Sequence, residues 1–272
     1  MNHKPIIQSF LIKTNIRIDI VNLIEHIEIS TQSVRSGSIL AVKYKDVIKG
    51  NASLFKSSVG FKNSCHLLIC YIAQTQQKKF IQAKITSLGT FQLSGVPMAD
   101  VEKLIYKFFS TIEKLNKKFN GSVFQTTTRH RFEMVLVPLL YNCVIELPPA
   151  VRNKVNSYSK LQLINRFIEH GYISFIVPYD IAVTIKQPCL YEYFKKHPIR
   201  YSTWHRSAGK TMSFIEYESY TTLLTEEQRK VAICKKYLTF RMFSTGKILV
   251  SGFNEITVNE GIVRFLKMCE NF

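Results

Sequence analysis

Two short stretches of the 272-residue chain carry side chains suited to holding a polyanion. Residues 78–95 (KKFIQAKITSLGTFQLSG) and 235–252 (KKYLTFRMFSTGKILVSG) each read as two strand-like runs joined by a glycine-containing turn. Neighbouring residues of a strand point to opposite sides, so each hairpin divides by parity into two faces. Ile81, Ala83, Ile85, Phe91 and Leu93 form an apolar face in the first, as do Leu238, Phe240, Met242, Ile248 and Val250 in the second. The other face carries Phe80, Gln82, Lys84, Thr86, Thr90, Gln92 and Ser94, matched by Tyr237, Thr239, Arg241, Phe243, Lys247, Leu249 and Ser251. Cations on such a face suit phosphates, hydroxyls and amides suit base edges, and an isolated aromatic or aliphatic group suits bases and sugars.

Other chemistries fit the chain less well. Gly209-Lys210-Thr211 has the end of a phosphate-binding loop, but Trp204 stands where that loop needs its first glycine, so the segment reads as a basic turn. No H-E-x-x-H, G-x-S-x-G or paired-carboxylate pattern occurs, and Glu216 and Glu218 read as solvated charges. The six cysteines (Cys65, Cys70, Cys143, Cys189, Cys234, Cys269) form no C-x-x-C pair, and Cys65 and His66, adjacent on a strand, point apart. Buried reduced thiols are the expectation, with no metal, no cofactor and no enzymatic activity.

Composition bounds the partner. Thirty-seven Lys and Arg against 19 Asp and Glu leave a formal charge of +18, with a pI near 9.7. Such an excess repels itself unless something negative is bound, which puts nucleic acid first among partners. With 46% hydrophobic and 12% aromatic residues the chain is an ordered globular protein. The N-terminus MNHKP is followed by apolar residues that Lys13 and Arg17 interrupt, unlike a signal peptide. No apolar run reaches the length of a membrane span. The expected protein is soluble, intracellular and away from membranes.

The two hairpins belong to a longer repeat. Lys78/Lys235, Lys79/Lys236, Ser87/Ser244, Gly89/Gly246, Ser94/Ser251 and Gly95/Gly252 are identical at a constant spacing of 157, and a weaker match sets residues 24–30 against 168–174, 144 apart. A unit of about half the chain indicates an old duplication rather than a solenoid. Both copies read in one order. The first has strands at Pro5 to Lys13, Ser38 to Ile48, Cys65 to Ile72, Phe80 to Ser87 and Thr90 to Ser94, with a helix capped by Asp19. A long helix closes it, with Val101, Leu104, Ile105, Phe108, Phe109, Ile112 and Leu115 along one face. The second copy runs through Phe132 to Leu147, a helix near Leu161 to Ile168, strands from Ile173, the hairpin, and a helix through Val258, Ile262, Phe265 and Leu266. The copies divide as 1–122 and 123–272 across the polar segment Asn116 to Arg131, with an insertion near 191–230. An isolated half-sheet would leave an open edge, so the halves are expected to form one domain.

At the turn Phe243-Ser244-Thr245-Gly246-Lys247-Ile248-Leu249-Val250-Ser251-Gly252, echoed by Thr86-Ser87-Leu88-Gly89-Thr90-Phe91-Gln92-Leu93-Ser94-Gly95, the chain resembles the TATA-box-binding protein family. It looks most like the divergent members encoded by large double-stranded DNA viruses. The resemblance implies an α+β saddle: two pseudo-symmetric repeats forming a curved antiparallel sheet, with helices on the convex side and the DNA minor groove on the concave side. It implies that Phe243 wedges between base steps, that Arg241, Lys247, Leu249 and Ser251 face DNA, and that Lys84, Thr86, Thr90, Gln92 and Ser94 are their first-copy counterparts. Asn142 matches the family's central base-reading asparagine, without a partner in the first copy. Outer wedges would fall near Ile39 or Leu40 and near Phe175 or Val177. Thr86 departs from the family's first-copy wedge, so weaker or lopsided kinking is expected.

The implied partners are an AT-rich promoter duplex bound by a monomer, a transcription factor IIB-like protein and RNA polymerase. The implied setting is the host nucleus, a cytoplasmic viral factory or the virion. The alternative is a scaffold of a viral transcription machinery that keeps the fold and no longer binds or bends DNA.

Overall fold

The computed structural model describes residues 5–31, 34–51, 53, 55, 64–73, 76–121, 123–126, 131–177, 181–205 and 209–272. The N-terminal MNHK, residues 127–130 of the polar junction and residues 206–208 of the insertion lie outside the described residues. The described residues form a mixed α+β fold whose strands pair antiparallel. In chain order the first half contains β1 (Pro5–Thr14), β2 (Ile16–Ile18), α1 (Ile20–His26), β3 (Ile39–Tyr44), β4 (Val47–Gly50), β5 (Ser64–Ile72), β6 (Lys78–Thr86), β7 (Thr90–Ser94), α2 (Met98–Lys118) and β8 (Phe124–Thr126). The second contains β9 (Arg131–Glu146), α3 (Pro149–Asn156), α4 (Lys160–Glu169), β10 (Ile173–Ile176), β11 (Val183–Cys189), α5 (Tyr191–Phe194), β12 (Pro198–His205), β13 (Gly209–Glu216), α6 (Tyr217–Thr222), α7 (Glu226–Ile233), β14 (Lys236–Met242), β15 (Lys247–Gly252) and α8 (Glu255–Glu270).

The chain forms two compact units. One comprises Ser9–Val137 with Arg200–Phe214; the other comprises Met1–Gln8, Pro138–Ile199 and Ile215–Phe272. In the first the strand order is β13-β12-β9-β1-β7-β6-β5-β3-β4, and in the second β10-β11-β14-β15-β9. Each unit packs helices against the apolar side of its sheet. Phe91 of β7 meets Phe108 and Phe109 of α2 edge-on, with ring centroids 5.5 Å away in both cases. Phe240 of β14 stacks on Phe265 of α8 at 4.3 Å, and Phe265 stacks in turn on Phe167 of α4 at 5.6 Å. These rings are nearly or wholly buried, so each contributes roughly 2–3 kcal/mol of burial and fixes which sheet face is inward.

The helices start where local chemistry allows. Asp19 Oδ1 accepts from Asn22 N at 3.0 Å, capping α1. Ser159 and Gln162 form a capping box at α4, and Asn254 Oδ1 accepts from Thr257 N at 2.8 Å to open α8. The run Ser38 to Ile48 is not one strand, because Lys45 at φ 52° turns the chain between β3 and β4. Residues 190–233 contain α5, β12, β13, α6 and α7 rather than only further strands. An aromatic cluster of Tyr191, Phe194, Tyr217, Tyr220 and Phe253 holds part of this insertion together.

Candidate nucleic-acid interface

The repeat is reproduced strand by strand. Lys84 pairs with Gln92 as Arg241 pairs with Leu249, and Ala83 with Leu93 as Phe240 with Val250, so the spacing of 157 holds in register. The next strand obeys the same rule: Ser9 pairs with Ser94 as Asn142 pairs with Ser251, and Leu11 with Gln92 as Val144 with Leu249. Ser9 is thus the first-copy counterpart of Asn142, which sequence alone left without a partner. Its hydroxyl lies 2.7 Å from that of Ser94. On the other flank His66 pairs with Lys84 as Thr184 pairs with Arg241, positions only 118 apart. The rise from 118 to 157 places 39 additional residues between β11 and β14, the span in which the insertion is expected at 191–230.

In the unit holding residues 138–199, register puts Phe175, Thr184, Arg241, Leu249 and Val144 in one row across the sheet. A second row is Ile173, Lys186, Thr239, Ser251 and Asn142. Both lie opposite the helix-covered face that buries Ile185, Phe240, Val250 and Cys143. The Arg241 guanidinium sits 5.9 Å from the Phe243 ring centroid, and Lys186 sits 5.4 Å from Phe175 and 5.9 Å from Tyr237. Each cation thus lies within the range of attraction to the face of an aromatic ring. Phe243 closes its turn through its own backbone, with N donating to Lys247 O at 2.9 Å and O accepting from Gly246 N at 3.0 Å. Val177 follows β10 on the parity of Phe175 and is exposed. Lys247 is exposed and lies 3.9 Å from Glu146 across the strand pair. Asn142 Oδ1 and Thr184 Oγ1 are buried and receive no hydrogen bond from the described residues.

In the other unit the corresponding row is Leu11, Gln92, Lys84, His66 and Lys43. This face is less open than parity alone implies. His66, Lys43 and Ser64 are only 8% exposed, and Leu68 and Cys70 are buried on the same side. Burial, with Lys84 and Lys43 nearby, lowers the His66 pKa and keeps the ring neutral at neutral pH. The accessible part is β6 and β7, where Gln92 is exposed and Lys84, Thr86, Thr90 and Ser94 are half-buried. Thr86, at the position of Phe243, accepts from Thr90 N at 3.2 Å and so serves its own turn. Ile39, one of two residues considered as an outer wedge, is buried in the helix-side core.

Lys186, Tyr237, Thr239, Thr184 and Ser9 escaped sequence reasoning as site residues, although Tyr237 and Thr239 were legible on the right face. Lys186 and Thr184 lie outside the repeated hairpin motif, and only pairing aligns them with Arg241 and Thr239. Gly209, Lys210 and Thr211 form the start of strand β13 rather than a turn. Five cysteines are buried and unbridged while Cys234 is exposed, and burial pushes the thiols of Cys65 and Cys269 up to about 12. Among the described residues no helix is long and apolar enough to cross a membrane.

No protein-family model matches the chain. Comparison with curated proteins finds similarity to an uncharacterized protein, 335L, of Invertebrate iridescent virus 6, 20% identical over 230 residues. The match covers 82% of this chain, which spans 65% of that relative's length.

Proposed function

We propose that this protein is a TATA-box-binding-protein-like transcription initiation factor that holds duplex DNA by the minor groove. The observation that carries the reading is the repeated register: two copies of one strand set, each presenting Lys84 or Arg241 and the Ser94 or Ser251 hydroxyl opposite a helix-covered face. The excess of 18 positive charges supports a polyanionic partner, and similarity to an iridescent-virus protein agrees with the viral resemblance. In this reading the two units are the halves of a saddle. The half containing Phe243, Arg241, Val177 and Leu249 carries the wedging surface, and the half containing Thr86 contributes mainly polar contacts, so the bend is lopsided. Apolar wedges inserted between base steps unstack them and kink the duplex, which is how proteins of this family hold the minor groove.

Binding is tested by fluorescence anisotropy on an AT-rich duplex between 50 and 200 mM salt. Neutralising about four phosphates predicts a loss of affinity of about 100-fold over that range. Phe243→Ala is expected to abolish most of the bend seen by energy transfer between the duplex ends, whereas Thr86→Ala leaves it unchanged. Absence of duplex binding even at 50 mM salt would leave the scaffold reading in its place, and an equal loss of bend in both variants would overturn the lopsided arrangement.

A further inference from the structure

The hairpin β12–β13 lies within the 39-residue insertion, and residues 200–214 of it fold into the unit built from the first half of the chain. There it continues that unit's sheet. Arg200 to His205 of β12 pair with Leu136 to Arg131 of β9, and β13 pairs with β12. Ser202 lies opposite Met134 and Arg200 opposite Leu136, both members of the helix-side core, so these two residues face inward toward the helices. Their partner is Glu102 of α2. The Ser202 hydroxyl donates to Glu102 Oε1 at 2.7 Å, Arg200 NH1 lies 3.7 Å from the same oxygen, and Lys210 Nζ of β13 pairs with Oε2.

Alternation then puts Tyr201 and Thr203 on the opposite face, the one that also carries Lys84, Gln92 and Lys13. The hydroxyls of Thr203 and Thr211 meet, which places Thr211 on that face too and, two residues on, Ser213. Thr211 and Ser213 are exposed, Tyr201 is half-buried, and Thr203 is buried beneath the pair it makes. Met212 and Phe214 share the parity of Lys210 and lie on the helix side, where they are 51% and 57% exposed.

We infer that β12 and β13 enlarge the DNA-facing surface of this unit, with Tyr201, Thr211 and Ser213 contacting the sugar-phosphate backbone of duplex DNA and Thr203 positioning Thr211. The inference rests on the DNA-binding reading above. Continuity with the Lys84 face selects the occupant. Hydroxyl donors on a cationic surface suit phosphate oxygens, which account for the larger share of protein–DNA hydrogen bonds. Glu102 is spent on the opposite side, whereas Glu133, half-buried on β9 opposite Thr203, is an acid on this face, so the phosphate contacts fall to Tyr201 and to the outer strand β13 rather than to Thr203 itself.

The test uses the full chain with a photo-crosslinking benzoyl-phenylalanine at position 213 or, as the opposite-face control, at 212, mixed with an AT-rich duplex. Position 213 is expected to crosslink to DNA at least fivefold more efficiently than 212. Joined Thr211→Glu and Ser213→Glu substitutions should weaken duplex binding about tenfold, while Met212→Glu with Phe214→Glu changes it less than twofold, at matched melting temperatures. If the unsubstituted chain binds the duplex and the two faces crosslink equally, the hairpin has no place in the interface and the wider reading stands. If the unsubstituted chain does not bind, the DNA-binding reading itself falls.

Discussion

Replacing Gly89 by alanine is expected to destabilise the protein by about 3 kcal/mol, whereas the same change at Gly246, its repeat equivalent, costs about 1 kcal/mol. Both glycines hold the turn of their hairpin with positive φ, 66° and 82°. Both substitutions therefore incur the left-handed penalty of an L-residue, about 1 kcal/mol. They differ in what the added methyl meets. At Gly89 it would lie 2.2 Å from Ile16 O and 2.5 Å from Thr14 Oγ1, and that hydroxyl already donates to Gly89 O at 2.6 Å. Ile16 belongs to β2, which pairs with β8, so its backbone yields only if neighbouring strands shift. At Gly246 the nearest atom is Arg152 Cδ at 2.4 Å, part of a flexible side chain on α3 that can turn away. Urea unfolding of the two variants measures the difference; equal losses would show that the Ile16 backbone yields as easily as an arginine side chain.

The second large effect falls on Glu102. Substituting glutamine should cost about 3 kcal/mol at pH 7, because it removes the charge that Lys210 and Arg200 share in a side chain only 5% exposed. The value lies at the low end for buried pairs because the Lys210 side chain is 41% exposed and recovers some hydration. Burial pushes the Glu102 carboxyl up, but Lys210, Ser202 and Arg200 outweigh it and hold the pKa below the ordinary carboxylate value. A carboxyl lowered in the folded state stabilises fully above its unfolded pKa, near 4.3, and loses that contribution as pH falls through its folded value. The stability gap between the native protein and Glu102→Gln should therefore be widest at neutral pH and narrow as pH drops from about 5 to 3. Urea melts at pH 7, 5 and 3 follow it, and a constant gap would mean that Glu102 acts through packing alone. Lys210→Met, which leaves Arg200 and Ser202 on the carboxylate, should cost less, about 1 kcal/mol.

A smaller pH effect arises at His197. Asn254 Oδ1 is committed to Thr257, accepting from its N at 2.8 Å and from its hydroxyl at 2.5 Å, so Asn254 Nδ2 is the group facing His197 Nδ1 at 3.0 Å. The ring must accept there and is neutral, protonated on Nε2. Burial lowers its pKa against the opposing pull of Glu260, so the contact's contribution is full above the unfolded value of about 6.5 and is lost as pH falls through the lowered folded value. Proton titration followed by NMR should place His197 below the ordinary histidine value of about 6.5.

Several elements were legible because their cause is local. The Asp19 cap, the apolar stripe of α2 from Val101 to Leu115, and the Gly89 and Gly246 turns follow from short-range geometry, and the structure forms them where expected. The division of each hairpin into an apolar and a polar face is equally local, since alternation needs no partner. The break between β3 and β4 escaped because Lys45, a residue with no turn preference, adopts positive φ. The hairpin and helices inside the insertion, whose place in the chain was expected, escaped for a different reason. The insertion's strands are weakly patterned, and β12 is defined by pairing with β9, whose Leu136 to Arg131 lie more than sixty positions earlier.

The sequence by itself determined the duplication, the sign and size of the charge, and the inventory of the polar hairpin face, all properties of composition and spacing. Only tertiary structure decided which residues stand beside them. Strand register aligned Ser9 with Asn142 and His66 with Thr184, and buried much of the β5 side of a face that parity alone left open. It also drew the second-copy residues 200–214 onto the first-copy unit, where a buried carboxylate on α2 attracts two cations and a hydroxyl from the hairpin. Contacts of that kind depend on the desolvated distance between groups a hundred residues apart, and no pattern along the chain encodes that distance.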